Sequence, residues 1–119
     1  MKKVSVRELK DGSIIKLDCS PTKGHEQSGY RPVVVISNPN QKGMPFNDMV
    51  AVAPITSNVK KGFPAHVELD NSTKTIGSVM LDQLRMMDLG NRKFQFVEEM
   101  SEENFNECKK VGKAILFNE

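Results

Sequence analysis

The sequence predicts a mainly β protein with added helices: a small, strongly bent sheet or barrel carrying a C-terminal amphipathic helix. Three observations carry this reading. Short apolar or alternating runs recur through most of the chain. Gly, Pro, Asn and Asp punctuate them at turn-like intervals. Only the tail switches to helical spacing. Several strands and one such helix bury their apolar surfaces together when the helix lies on the bent sheet. At 119 residues the chain is expected to form one domain with a real core.

Residues 4–10 are short and read as a strand or a single turn. Asp11-Gly12 is a turn pair, and residues 13–17 alternate after it as a strand. The stretch 18–31 carries Pro21, Gly24 and Gly29 and reads as a loop. Residues 33–37 are nearly all apolar, which suits a central strand covered on both faces. Asn38-Pro39-Asn40-Gln41-Lys42-Gly43 is turn material. Residues 49–55 form another strand, halted near Pro54, and a loop through Lys60-Lys61-Gly62 follows. Residues 66–69 alternate as a strand, and residues 76–81 are a fifth, where Gly77 marks a bulge or a close backbone approach.

Leu81, Leu84 and Met87 share one face if residues 81–87 form a short helix. In the tail, Ser101 is a good N-cap and Glu102 and Glu103 favour the first turn. Phe105, Cys108, Val111, Gly112, Ile115 and Leu116 then make one apolar stripe.

Composition narrows the function classes. An apolar fraction of 38% with 27% charged residues of mixed sign fits a globular chain. The net charge of +2 argues against a basic tail for duplex nucleic acid. Lys60-Lys61, Arg92-Lys93 and Lys109-Lys110 leave local positive patches. Cys19 and Cys108 are two distant thiols, expected to be reduced in a cytoplasmic protein. Met1-Lys2-Lys3 is not followed by the apolar run of a signal peptide, and no segment approaches a membrane span. No metal-spaced cluster or Gly-rich nucleotide loop stands out, so no cofactor is expected.

The richest stretch is Gly24-His25-Glu26-Gln27-Ser28-Gly29-Tyr30-Arg31-Pro32, which runs into Val33-Val34-Val35-Ile36. Pro32 restricts Arg31 to extended geometry and so helps aim its guanidinium. That fork can hold two phosphate oxygens, although a salt bridge pinning the loop is an equal use. His25 and Glu26 are adjacent and point opposite ways in an extended loop; either can shuttle a proton at hydrogen-bond distance. Thr56 and Ser57 close a strand, where hydroxyls orient a phosphate or, more commonly, cap a turn. Asp82 and Gln83 line a pocket or cap the helix beyond. His66 reads as an ordinary half-exposed strand residue, and the methionines as core or interface.

Taken in order, these elements resemble the MazF/PemK family of toxin endoribonucleases. The resemblance rests on Asp11-Gly12-Ser13-Ile14-Ile15, the long element through Arg31-Pro32, Val52-Ala53-Pro54-Ile55-Thr56, Gly62-Phe63-Pro64 and Gly77-Ser78-Val79-Met80-Leu81-Asp82-Gln83-Leu84-Arg85. It runs across nearly the whole chain, and the long element is its most specific part.

The resemblance implies an SH3-like bent barrel with added helices, assembled as a symmetric homodimer. It implies sequence-specific, metal-free cleavage of single-stranded RNA through the 2′-hydroxyl. It also implies a cognate antitoxin whose tail covers the RNA groove. By position, Arg31 and Thr56 match the family's principal catalytic pair, with Glu26 as a third member. His25, Gln27, Ser57, Lys60, Lys61, Asp82 and Gln83 are secondary or RNA-binding candidates. In one branch the roles fall to an arginine and an aspartate of the 77–83 region with the loop histidine. Asp82 and His25 match two of those, but Met80 occupies the arginine position and cannot supply its charge. A CcdB-like toxin acting on a topoisomerase, or a noncatalytic module of the same fold, are the alternatives; the Arg31–Thr56 pair favours RNA cleavage.

Overall fold

Residues 4–18, 30–41, 43 and 47–118 are described by the computed structural model. Cys19 and the loop candidates His25, Glu26 and Gln27 lie outside the described residues. Among those described, seven strands and one α-helix follow in order: β1 (Ser13–Asp18), β2 (Tyr30–Ser37), β3 (Met49–Thr56), β4 (His66–Glu68), β5 (Ser78–Met80), β6 (Arg85–Asp88), β7 (Phe94–Glu99) and α1 (Glu102–Phe117).

The β2 strand organises the rest. Val33, Val34 and Val35 are 3%, 0% and 0% exposed, so this strand is buried on both faces. β1 and β3 flank it antiparallel. Outside them, β7 pairs with β1 and β6 with the first half of β3, while β5 and then β4 continue from the second half of β3. Strand alternation divides the apolar residues into two clusters. Ile14, Val34 and Ala53 face one cluster with Val67, Val79, Leu81 and Cys108. Ile15, Leu17, Val33, Val35, Val50 and Val52 face the other with Leu9, Met87 and Leu89.

The mainly β architecture with its C-terminal helix is thus as expected; one open local reading is resolved and three expectations change. First, residues 4–10 resolve as a turn: Val6–Glu8 is a single 3₁₀ turn in which Ser5 and Glu8 form a capping box. Second, Pro54 does not halt its strand. It lies inside β3, opposite Val33, after β6 pairing has ended at Val52 and before β5 pairing begins at Ile55. At that point β3 has a neighbour on one side only, so a residue lacking an N–H is tolerated.

Third, residues 81–87 are not a helix. Leu81–Gln83 is one 3₁₀ turn, Leu84 is already extended, and β6 begins at Arg85. Leu81 and Met87 share no helix face; they enter different clusters. Fourth, the α1 stripe is covered only over its first part. Asn104, Cys108 and Gly112 are buried, whereas Ile115 and Leu116 are 45% and 57% exposed. The Ser101 cap forms as expected, its side chain accepting from the Asn104 amide.

Candidate active site

Arg31 and Thr56 reach the same place by register. Val33 opposes Pro54 across β2 and β3. That pair ends the β2–β3 ladder, and Arg31 and Thr56 each stand two residues beyond it at the same end. The two residues line one cleft of about 490 Å³. Tyr30, Arg31 and Pro32 form one wall, residues 54–57 another, and Ile76 and Met80 the rim. Among the described residues lining it, Arg31 is the only charged one. Arg31 is exposed and makes no ion pair among the described residues.

The Thr56 hydroxyl accepts a hydrogen bond from the Asn58 amide at 3.0 Å, closing the turn after β3. Its own proton is left to donate. The carbonyl of Thr56 is held just as closely. Gly77 has φ +128, and a Cβ there would run into the Thr56 carbonyl and come within 3.1 Å of Ile55 Cγ2. Gly77 is therefore a close-approach glycine: it lets the start of β5 press on the end of β3.

The other sequence candidates are scattered. Ser57 lines the cleft beside Thr56. Lys60 and Lys61 are exposed on the following loop and do not line it, and the Lys60 ammonium sits 5.7 Å from the Phe63 ring. Asp82 and Gln83 lie on the 3₁₀ turn after β5, outside the cleft lining. Asp82 instead approaches His66, with Oδ1 3.4 Å from Nε2. His66 is half-buried as a residue, in keeping with the strand pattern, and its side chain is 8% exposed. Its ring meets Phe63 edge-on at 4.6 Å, and its Nδ1 has no hydrogen-bond partner among the described residues.

Sequence reasoning missed Tyr30 and Ile76 as lining residues. They are 44% and 78% exposed, unusual for large apolar side chains. An aromatic directly before Arg31, and an isolated Ile after a polar run, are the available signals.

Other titratable groups serve the frame. Hydrogen bonds from the Ser72 hydroxyl and amide, then from Ser101, hold the Asp70 carboxyl below its ordinary range. Burial raises the Glu98 carboxyl, but bonds from the Thr75 hydroxyl and the Lys74 and Thr75 amides, with the Lys74 charge, bring it below its ordinary range. The Cys108 thiol is pushed up to about 12, by burial first and the Glu107 charge second. Such a thiol is an inert core group. No helix among the described residues is long and apolar enough to cross a membrane.

The family model for the PemK-like, MazF-like toxin of type II toxin-antitoxin systems matches residues 10–116. The chain belongs to that family. This PemK/MazF-like chain is 32% identical to the Endoribonuclease MazF of Staphylococcus saprophyticus over 111 residues, covering 90% of this chain and 88% of that one. It superimposes on a MazE-MazF structure (Form-II) from Deinococcus radiodurans with TM-score 0.78 at 28% identity, covering 91% of this chain and 95% of the other. An endoribonuclease in complex with its cognate antitoxin from a mycobacterial species shares the fold alone, with TM-score 0.69 at 16% identity, covering 88% and 91% of the two chains.

Proposed function

We propose that residues 1–119 act as a single toxin endoribonuclease domain that cuts single-stranded RNA at a specific short sequence, without a metal. The observation that carries this reading is the cleft in which Arg31, as the lone charge among its described lining residues, stands with Thr56. A phosphodiester is an anion, and the charge on its oxygens grows as a nucleophile adds to phosphorus. A guanidinium fixed at that point stabilises the transition state more than the ground state.

The substrate's own 2′-hydroxyl is the nucleophile. Its oxygen bonds to phosphorus as the P–O5′ bond breaks, which leaves a 2′,3′-cyclic phosphate. The 2′-hydroxyl proton is lost to a base, with Glu26 in that role by family position. The departing O5′ takes up a proton to become a 5′-hydroxyl. Arg31 holds two phosphoryl oxygens through its fork. The Thr56 hydroxyl donates to one non-bridging oxygen and keeps the phosphate aligned for attack. His25, Gln27, Ser57, Lys60, Lys61, Asp82 and Gln83 orient or grip the strand in supporting roles.

The same reading includes a twofold homodimer of about 27 kDa, twice the 13.3 kDa chain mass, that works in the cytoplasm. A cognate antitoxin neutralises it. Its tail, mixed acidic and apolar, folds over the positive groups of the cleft and competes with RNA.

The test is incubation of purified protein with mixed-sequence RNA in excess EDTA. Cleavage to 2′,3′-cyclic phosphate and 5′-hydroxyl ends is expected. A substrate with 2′-deoxy at the cut position should remain whole; its cleavage at the same bond overturns the mechanism.

A further inference from the structure

The candidate cleft does not end at Pro32. A second cleft of about 570 Å³ lies on the other side of that proline, which is a wall of both. The two are also joined along residues 75–76, since Thr75 lines the second cleft and Ile76 the first. Lys16 of β1 pairs directly with Pro32 in the β1–β2 register, so it stands one residue over from Arg31. Lys74 approaches from the segment before β5. Both lysines are exposed; Lys16 makes no ion pair among the described residues, and the Lys74 charge also acts on Glu98.

Glu98 is the one carboxylate lining this cleft among the described residues, and it is committed to the frame. It accepts from the Lys74 amide at 3.1 Å, the Thr75 amide at 2.9 Å and the Thr75 hydroxyl at 2.7 Å. These bonds fix residues 74–75 against β7 and thereby present the Lys74 side chain. Val97 adds an apolar surface, 38% exposed, to the lining that Pro32 shares. Two ammonium groups beside a flat apolar wall match the two faces of a nucleotide: phosphate on the lysines, ribose and base against Pro32 and Val97.

We propose that this second cleft is a subsite for a nucleotide flanking the scissile phosphate, with its phosphodiester held by Lys16 and Lys74. The inference rests on the RNA-cleaving reading of the Arg31–Thr56 cleft. The subsite extends the grip along the same strand and acts on substrate binding rather than on the chemical step. Lys16 and Lys74 are thus binding residues, not catalytic ones.

The experiment compares the shortest RNA that the wild type cuts with the same RNA lengthened by one and two nucleotides at each end. Extension at one end should raise kcat/KM at least about tenfold through KM, on the order of what two phosphate-binding lysines and a nucleotide packed on apolar surface supply. The double variant Lys16→Ala/Lys74→Ala should reduce that gain to about twofold or less while cutting the shortest RNA at the wild-type rate. Its log KM should also depend less steeply on log salt, by roughly 0.7 per lysine. A control variant, Lys109→Ala/Lys110→Ala on α1, should keep the full gain. Wild-type protein that cuts no RNA overturns the underlying reading and the subsite with it. Wild-type protein that cuts RNA without a gain from extension overturns the subsite alone. So does a folded Lys16/Lys74 variant that keeps the gain, or an α1 control that loses it equally.

Discussion

The seam beneath α1 and the Arg31–Thr56 cleft use polar side chains in opposite ways. In the seam, Asn104 is 2% exposed, and both side-chain N–H groups and its amide oxygen are engaged. Its Oδ1 accepts from the Asp70 amide at 2.9 Å, and its Nδ2 donates to the Glu68 carbonyl and to Glu107 Oε1, each at 3.2 Å. Ser101 accepts from the Asn104 amide and donates to Asp70 Oδ2. In the cleft, Arg31 makes no ion pair among the described residues and Thr56 accepts one bond. Burial explains the contrast. A polar atom shut away from water must be matched within the protein, so its bonding is structural. A polar atom at an open cleft is matched by water, and a ligand can take the water's place. The first kind of group should govern stability and the second activity.

Substitutions at each region can break this division. The largest effect is expected from Arg31→Ala, which should lower cleavage at least about 100-fold by removing the central charge on the phosphoryl oxygens. Because Arg31 is exposed and makes no ion pair among the described residues, stability should stay within about 0.5 kcal/mol of wild type. Denaturant melts and single-turnover rates check both halves, and a folded variant within threefold of wild-type rate removes Arg31 from the mechanism.

Asn104→Ala should do the reverse. It leaves the Asp70 amide and the Glu68 carbonyl without that partner, which costs about 3 kcal/mol of stability in a urea titration. Cleavage by the fraction that remains folded should be unchanged.

Gly77→Ala joins the two regions and sharpens the comparison. A left-handed φ and a Cβ set against the Thr56 carbonyl should cost about 2 kcal/mol. Since the strain falls on Thr56, a loss of kcat should accompany it, which neither of the other substitutions combines with a stability loss. A stability loss with kcat intact would show that the β3–β5 approach does not position the hydroxyl.

The smallest effect is on pH dependence. Asp70 and Glu98 have folded pKa values lowered from 3.8 and 4.5. The unfolded chain therefore binds more protons as pH falls through that range. Their stabilisation is complete above those ordinary values and is lost as pH falls through the lower folded ones. Melting temperatures from pH 6 to about pH 2 should decline, and Glu98→Gln should flatten part of the decline. An unchanged slope in that variant would mean that the Lys74–Thr75 bonds do not favour the charged carboxylate.

Much of this was legible in the residues. The 33–37 run announced a central strand, Ser101 announced the helix start, and Gly77 announced a close approach. Each is a local signal: backbone freedom, side-chain capping or strand period. β6 and β7 were not legible. Within β6 only Met87 is buried, and that strand exists because β3 pairs with it. β7 carries Phe94 and Phe96 toward the core, but apolar Val97 on the outer face and Glu98 at the next inward position break the alternation. Pro54 misled for the same reason, since its tolerance depends on which neighbours β3 has at that point.

The candidate site divides along the same line. The sequence by itself determined which side chains are candidates for chemistry, because a guanidinium before a proline and a hydroxyl at a strand end are properties of neighbouring residues. It also determined the family, through motifs in order along nearly the whole chain. Only the tertiary structure decided that Arg31 and Thr56 line one cleft, that Asp82 turns to His66, and that Lys16 and Lys74 line a second cleft with Pro32. Those facts depend on antiparallel register and on the packing of distant segments, which no local spacing encodes.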